Sequence, residues 1–324
     1  MPIIKNSTYP KQPFFYGNQH GHTIIPGAFR KVKNVIYERE RLELSDGDFL
    51  DLDWIDRHSR QLVILTHGLE GDSQRQYMRG MAKFFAAQNW DVLAWMCRSC
   101  SGEMNRNKRL YYHGEIGDIG EVIHHALNTK NYEKIVLIGF SMGGNISLKY
   151  LGVHGKNIPD VIEKCIAFSA PTDLESSAAI LDRPDNWLYR KRFMNFLKTK
   201  IIKKTAVYPD FANLENFKKI KVWRDFDELF SAPINNFENA AAFYQDASAR
   251  NFMGGIQIPT LLVNALNDPI LTPECSPKEL CKNHPFLFLE NPIYGGHCGF
   301  PLRGKPFNWS EYRAWEFVQE NNHG

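Results

Sequence analysis

The sequence predicts an α/β protein in which a mainly parallel central sheet carries helices on both faces and a helical lid insertion covers one end. Two observations support this. Between Lys134 and Asn145 an apolar, largely β-branched run enters Gly139-Phe-Ser-Met-Gly143, and Asn145-Ile-Ser-Leu-Lys-Tyr-Leu151 then has helical character. A continuous apolar run of this length marks a strand buried on both faces, as in the middle of a parallel sheet. A strand that passes to a helix through one serine is the context that gives G-x-S-x-G its meaning. The turn is tight enough to force strained backbone angles on Ser141. Gly139 and Gly143 fit because a Cβ there would strike the strand or the helix, and Gly144 lets the helix lie close. The second observation is that strands and helices alternate along most of the chain, the pattern of parallel crossover units.

Taken in order, residues 1 to about 35 are expected to be an irregular arm, given Pro2, Pro10, Pro13 and Pro26 and several glycines. Phe14, Phe15, Tyr16, Ile24 and Ile25 give that arm apolar surface to bury. Residues 37–44 and 49–54 alternate in polarity around the turn residues Ser45-Asp-Gly-Asp48, which predicts an antiparallel hairpin at one end of the sheet. Residues 61–66 read as a buried strand ending at His67-Gly-Leu-Glu-Gly71. Residues 73–89 read as an amphipathic helix with Tyr77, Met81, Phe84 and Phe85 on one face. A strand at 91–96, a helix at 114–129, the strand leading to Ser141, and a strand at 164–169 ending in Ala170-Pro-Thr-Asp173 follow. Strands at 258–264 and 285–290 and a helix at 310–321 close the chain. From Leu174 to about Asn251 the strand rhythm stops and the chain turns helical and aromatic. The organisation expected is therefore an arm (1–35), a core (36–174 and 251–324) and a helical lid (175–250). The basic residues of the lid, Arg190 to Arg192, Lys198, Lys200, Lys203 and Lys204, read as a solvated face rather than a lipid-binding surface.

The 324 residues are ample for a full hydrophobic core. A composition of 43% hydrophobic and 23% charged residues is that of an ordinary soluble protein. A net charge of +3, with no basic block and no zinc-ligand array, argues against nucleic acid as a partner. No apolar run approaches the ~20 residues needed to span a bilayer, and the first residues lack a signal-peptide core. The expectation is a cytoplasmic protein, with peripheral membrane contact left open. The six cysteines are dispersed, as for reduced thiols. Cys97 and Cys100 have C-x-x-C spacing, but no second pair completes a zinc site and no helix of thioredoxin type follows, so they read as two thiols in a strand-to-loop turn.

The candidate chemistry follows from what a serine needs. A hydroxyl is a weak nucleophile and requires a base, which in turn requires an orienting carboxylate. In the α/β-hydrolase fold these occur in the order Ser, acid, His, each just past a strand. After Ser141, Asp268 follows one strand and His297 follows the last. His284 precedes that last strand and His323 lies in the terminal tail, so His297 is the candidate base. Asp173 competes with Asp268 for the acid, but Asp173 reads better as the cap of the helix entering the lid. Two backbone amides must face the developing oxyanion. Met142, after the nucleophile, supplies one, and Leu69 in the turn after His67 supplies the other. His67 is read as a brace of that turn. These parts predict hydrolysis of a small-molecule acyl ester through an acyl-enzyme, with no metal or organic cofactor.

The residues also resemble the YheT / embryogenesis-associated branch of α/β-hydrolases. The resemblance is carried by Ser45-Asp-Gly-Asp-Phe-Leu-Asp-Leu-Asp-Trp54, His67-Gly-Leu-Glu-Gly71, Arg98-Ser-Cys-Ser-Gly-Glu-Met-Asn105 and Tyr112-His-Gly-Glu115. It continues through Gly139-Phe-Ser-Met-Gly-Gly-Asn145, Lys149-Tyr-Leu-Gly152, Ser169-Ala-Pro-Thr-Asp-Leu174, Phe226-Asp-Glu228, Ala232-Pro233, Asn264-Ala-Leu-Asn-Asp-Pro-Ile270 and Gly295-Gly-His-Cys-Gly-Phe300. It spans nearly the whole chain and implies carboxylic-ester hydrolysis, with medium-chain acyl esters or lipids as substrates. Two departures are visible. The family pattern Arg-Gly-Cys-Ser-Gly has Ser99 in place of its first glycine, and the N-terminal anchor of membrane-bound members is not seen. Alternatives are an acyltransferase working through the same acyl-enzyme and a non-catalytic ligand-binding member of the fold. Chemistry that needs an aspartate nucleophile is excluded by Ser141.

Overall fold

The computed structural model describes residues 3–10 and 16–320. Phe14, Phe15, Pro2, Pro13, His323 and the expected helix end at Asn321 lie outside the described residues. Among the described residues nine strands form one sheet: β1 (Ile3–Ile4), β2 (Glu38–Glu43), β3 (Phe49–Ile55), β4 (Gln61–Thr66), β5 (Asp91–Trp95), β6 (Lys134–Phe140), β7 (Ile162–Phe168), β8 (Thr260–Val263) and β9 (Leu287–Glu290). Their spatial order is β1-β9-β8-β7-β6-β4-β5-β3-β2. The hairpin β2–β3 is antiparallel and β3 runs antiparallel to β5, whereas β4 to β9 and β1 pair in parallel. The expected α/β-hydrolase architecture is present, with the hairpin at one edge.

The helices are α1 (Gln19–Phe29), α2 (Gln76–Ala87), α3 (Gly117–Thr129), α4 (Met142–His154), α5 (Leu174–Ile180), α6 (Trp187–Val207), α7 (Trp223–Phe226), α8 (Ala232–Ile234), α9 (Ala240–Ala247), α10 (Lys278–Asn283) and α11 (Trp309–Gln319). Successive residues of a strand point to opposite faces, and the core divides accordingly. Leu62, Ile64, Ile135 and Leu137 pack on one face with Ile119 and Val122 of α3 and Ile146 of α4. Val63, Leu65, Val136 and Ile138 pack on the other with Met81 and Phe85 of α2 and Phe317 of α11. A doubly covered sheet explains why these strands read as unbroken apolar runs.

Two expectations are corrected. The arm is not irregular throughout, since residues 19–29 form α1. Asn18 caps it by accepting from the amides of His20 and Gly21 at 3.0 and 3.2 Å. Its Pro26, an interior helix breaker by propensity, is buried, so tertiary packing overrides composition. Ile24 remains exposed rather than buried. The second correction concerns the basic face of α6. Lys191, Arg192, Lys198 and Lys203 are exposed, but Lys204 is buried, with its ammonium on the carbonyls of Asn105 (2.6 Å) and Asn107 (2.8 Å). Lys200 is likewise turned inward, 2.9 Å from Glu70 Oε1. These two lysines fasten α6 to the loops beneath it.

The helices from α5 to α9 bury two small cores of their own, one around Leu174, Trp223 and Phe243, the other around Ile201, Phe226 and Phe230. Asn145 on α4 ties this layer to the sheet. Its amide donates to the carbonyls of His113 and Ala247, and its oxygen accepts from the Ala249 amide. A second tie is Lys149, which reaches Gly114 O and Asp246 Oδ2.

Candidate active site

Ser141 follows β6 directly, with φ 53° and ψ −122°. Such a conformation costs on the order of 1–3 kcal/mol and persists only where its surroundings enforce it. Here a Cβ on Gly139 would lie 2.3 Å from Gly143 O, and one on Gly143 would lie 2.3 Å from Thr66 O. Only glycine lets strand, turn and helix approach this closely. The expected elbow is therefore present in shape as well as in sequence.

The loops after β8 and β9 bring two further groups to the serine. Nε2 of His297 lies 2.9 Å from Ser141 Oγ, and its Nδ1 lies 2.8 Å from Asp268 Oδ2. The other oxygen of Asp268 accepts from the Ile270 amide at 3.0 Å. Asn267 joins the two loops by accepting from the Gly296 amide. Burial alone would depress the His297 imidazole, but the adjacent Asp268 carboxylate holds it well above the ordinary 6.5. Asp173, the competing acid, instead accepts from the Ser176 amide as the cap of α5 and pairs with Arg250.

Met142 is the first residue of α4, where an amide has no intrahelical acceptor. Leu69 sits in the turn after β4, and it lines the same cavities as Ser141 and His297. Beside it, His67 is buried, and burial lowers its pKa to about 4, so the ring is neutral. Its Nδ1–H donates to Gly68 O at 2.7 Å, and its Nε2 accepts from the Cys97 amide at 3.0 Å. The expected bracing role of His67 follows from these bonds.

Sequence reasoning missed the outer supports. The His297 amide donates to Thr23 Oγ1 of α1 at 2.9 Å. On the opposite side Glu70, next to Leu69, accepts from Tyr111 Oη at 2.5 Å and pairs with Lys200 of α6. The only available signals were a threonine in a proline-interrupted arm and a lysine among other lysines.

Two cavities meet at Ser141 and His297. One, of about 100 Å³, runs between Leu110, Ala178, Leu197, Trp223 and Phe243. The other, of about 310 Å³, lies between α1, the start of α2 and α6, and includes Arg75, Tyr77, Tyr189 and Arg192. Among the described residues no group of three or more His, Cys, Asp or Glu side chains is arranged to hold a metal ion. All six cysteines are free thiols, Cys97 and Cys100 included. No helix among the described residues is long and apolar enough to cross a membrane.

Comparison with known proteins agrees with this fold. Residues 61–303 match the alpha/beta hydrolase fold family. The chain is 30% identical to YheT of Escherichia coli, covering 88% of this chain and 85% of that protein. It is 26% identical to mouse phospholipase ABHD3, covering 92% and 74% respectively. Among solved structures, the Pyrococcus furiosus esterase Pf2001 superposes with a TM-score of 0.58 at 20% identity, covering 90% of this chain and 97% of that one, a likeness of fold. The chain thus belongs to the alpha/beta-hydrolase family, in the branch that contains YheT.

Proposed function

We propose that the protein is a serine carboxylic-ester hydrolase acting on short- to medium-chain acyl or lipid esters. The observation that carries this reading is the continuous relay from Ser141 through His297 to Asp268, with both links under 3 Å. Neutral His297 accepts the Ser141 proton as Oγ attacks the ester carbonyl, and Asp268 fixes the tautomer and offsets the imidazolium charge. The amides of Leu69 and Met142 receive the oxyanion, a contribution of ~10²–10³ in turnover per donor. His297 then protonates the departing alcohol, and water repeats the attack on the acyl-enzyme. The names of the YheT-branch relatives and of the esterase of like fold support this class of reaction. The lid layer, residues 175–250 in the expected division, contributes the walls of the apolar cavity, which suits an acyl chain.

The test is hydrolysis of a p-nitrophenyl ester ladder from acetate upward by the wild type beside Ser141→Ala. A maximum at one chain length that disappears in the variant supports the reading. Activity that survives in the variant removes Ser141 from its assigned role.

A further inference from the structure

The cavity of about 310 Å³ differs in chemistry from the apolar one. Arg75 and Arg192 both line it, and neither has a carboxylate within 4.0 Å among the described residues. Arg75 Nη2 is anchored on the Glu70 carbonyl at 2.6 Å, and the Arg192 guanidinium lies 5.6 Å from the Phe196 ring. The one acid of this wall, Glu70, is already engaged by Lys200 and Tyr111. Partial desolvation of its guanidinium first, and then the positive field of Arg75, push the otherwise exposed Arg192 down from its usual range, as expected for two cations lining one cavity. The first turn of α2, whose residues Gln76 and Tyr77 also line the cavity, contains no acidic residue and its N-cap makes no side-chain bond. Its free amides add positive potential on the same side.

We infer that this second cavity is an anion-selecting leaving-group subsite, in which Arg75 and Arg192 receive a phosphate or carboxylate carried by the alcohol portion of the ester. The inference rests on the hydrolase reading above. The acyl chain takes the apolar cavity, so the alcohol portion lies on the arginine side of Ser141. Forked guanidiniums suit either anion, because each can donate two parallel hydrogen bonds.

The experiment compares kcat/KM for three hexanoyl esters: methyl 4-(hexanoyloxy)benzoate, its free carboxylate, and 4-(hexanoyloxy)phenyl phosphate. Each is measured with the wild type, Arg75→Gln, Arg192→Gln, the double variant and Arg192→Lys. Losses common to all esters cancel in the anionic-to-neutral ratio, and differences in intrinsic reactivity cancel when that ratio is compared between a variant and the wild type. That ratio is expected to fall about ten- to hundred-fold in the double variant, chiefly through KM, to be partly kept by Arg192→Lys, and to shrink with added salt. A larger fall for the phosphate assigns phosphate, and a larger fall for the benzoate assigns carboxylate. A ratio unchanged in the double variant overturns the inference.

Labelling of Ser141 by a fluorophosphonate separates the two levels of argument. If Ser141 is neither labelled nor active on any ester, the hydrolase reading fails. Calorimetric binding of phenyl phosphate and benzoate to the Ser141→Ala protein still judges the subsite. Binding that the arginine substitutions abolish supports it, and no binding, or equal binding of phenol, overturns it.

Discussion

The backbone amide of His297 is held by the side chain of Thr23, 274 residues earlier, at 2.9 Å. The His297 imidazole is thus positioned from both sides, by Asp268 through its ring and by α1 through its backbone. Thr23→Val removes the acceptor while keeping the shape. The expected outcome is a loss in kcat/KM of about two- to tenfold, the worth of one net hydrogen bond, with slower fluorophosphonate labelling of Ser141.

The Asp268–His297 pair sets the pH profile. His297 must be neutral to accept a proton, and its pKa is raised, so kcat/KM should climb with pH through a midpoint above 6.5. Asp268→Asn removes the raising charge. The midpoint should move down while kcat falls by ~10⁴. Stability follows the same linkage. With the folded pKa above the unfolded one, the pair's contribution is full below 6.5 and is lost as pH rises through the folded pKa. Asp268→Asn should therefore cost more stability in mildly acidic than in alkaline buffer, which thermal melts at both pH values will check.

Ala178 is buried on the wall of the apolar cavity proposed above for the acyl chain. Ala178→Leu adds three carbons to a space of about 100 Å³. The ester ladder should then peak at a shorter chain, with each methylene that no longer fits costing ~0.8 kcal/mol, or about fourfold in kcat/KM.

Ser99 stands where the family pattern has glycine, and its φ of 63° lies in the left-handed region. Its hydroxyl donates to Asn105 Oδ1 at 2.6 Å and accepts from the Asn105 amide at 3.1 Å. The departure is thus compensated locally. Ser99→Gly relieves roughly 1 kcal/mol of backbone strain and gives up bonds of similar worth, so urea denaturation should show a change within about 1 kcal/mol. Asn105→Ala should cost more, ~2–3 kcal/mol, because its amide also donates to the buried Asp48.

The strands and the Ser141, Asp268 and His297 positions were legible because their signals are local. Apolar runs mark buried strands, glycines mark close approach, and each of the three residues follows a strand end. The Asp173 cap was legible for the same reason. What could not be read depends on distant partners. Helix α1 contains Pro26 and two glycines, and it forms because it caps on Asn18 and packs on the His297 loop, whose Gly296 and Gly299 would strike His22 if they carried a Cβ. Lys200 and Lys204 look like their exposed neighbours in sequence. Only the loops carrying Glu70, Asn105 and Asn107 make them interior. Arg75 immediately precedes α2 and Arg192 lies within α6, and nothing in the sequence shows that they share one cavity.

The order in which the chain contributes these groups bears on its synthesis. A nascent chain that has reached β7 already holds the Ser141 turn, yet neither carboxylate nor imidazole has emerged. Domains fold as the ribosome extends them at ~5–20 residues per second, so a scaffold with an inert serine precedes the competent one. Esterase activity would then register completion of β8 and β9, and a product broken off before them would be unreactive toward esters even with β2 to β7 paired.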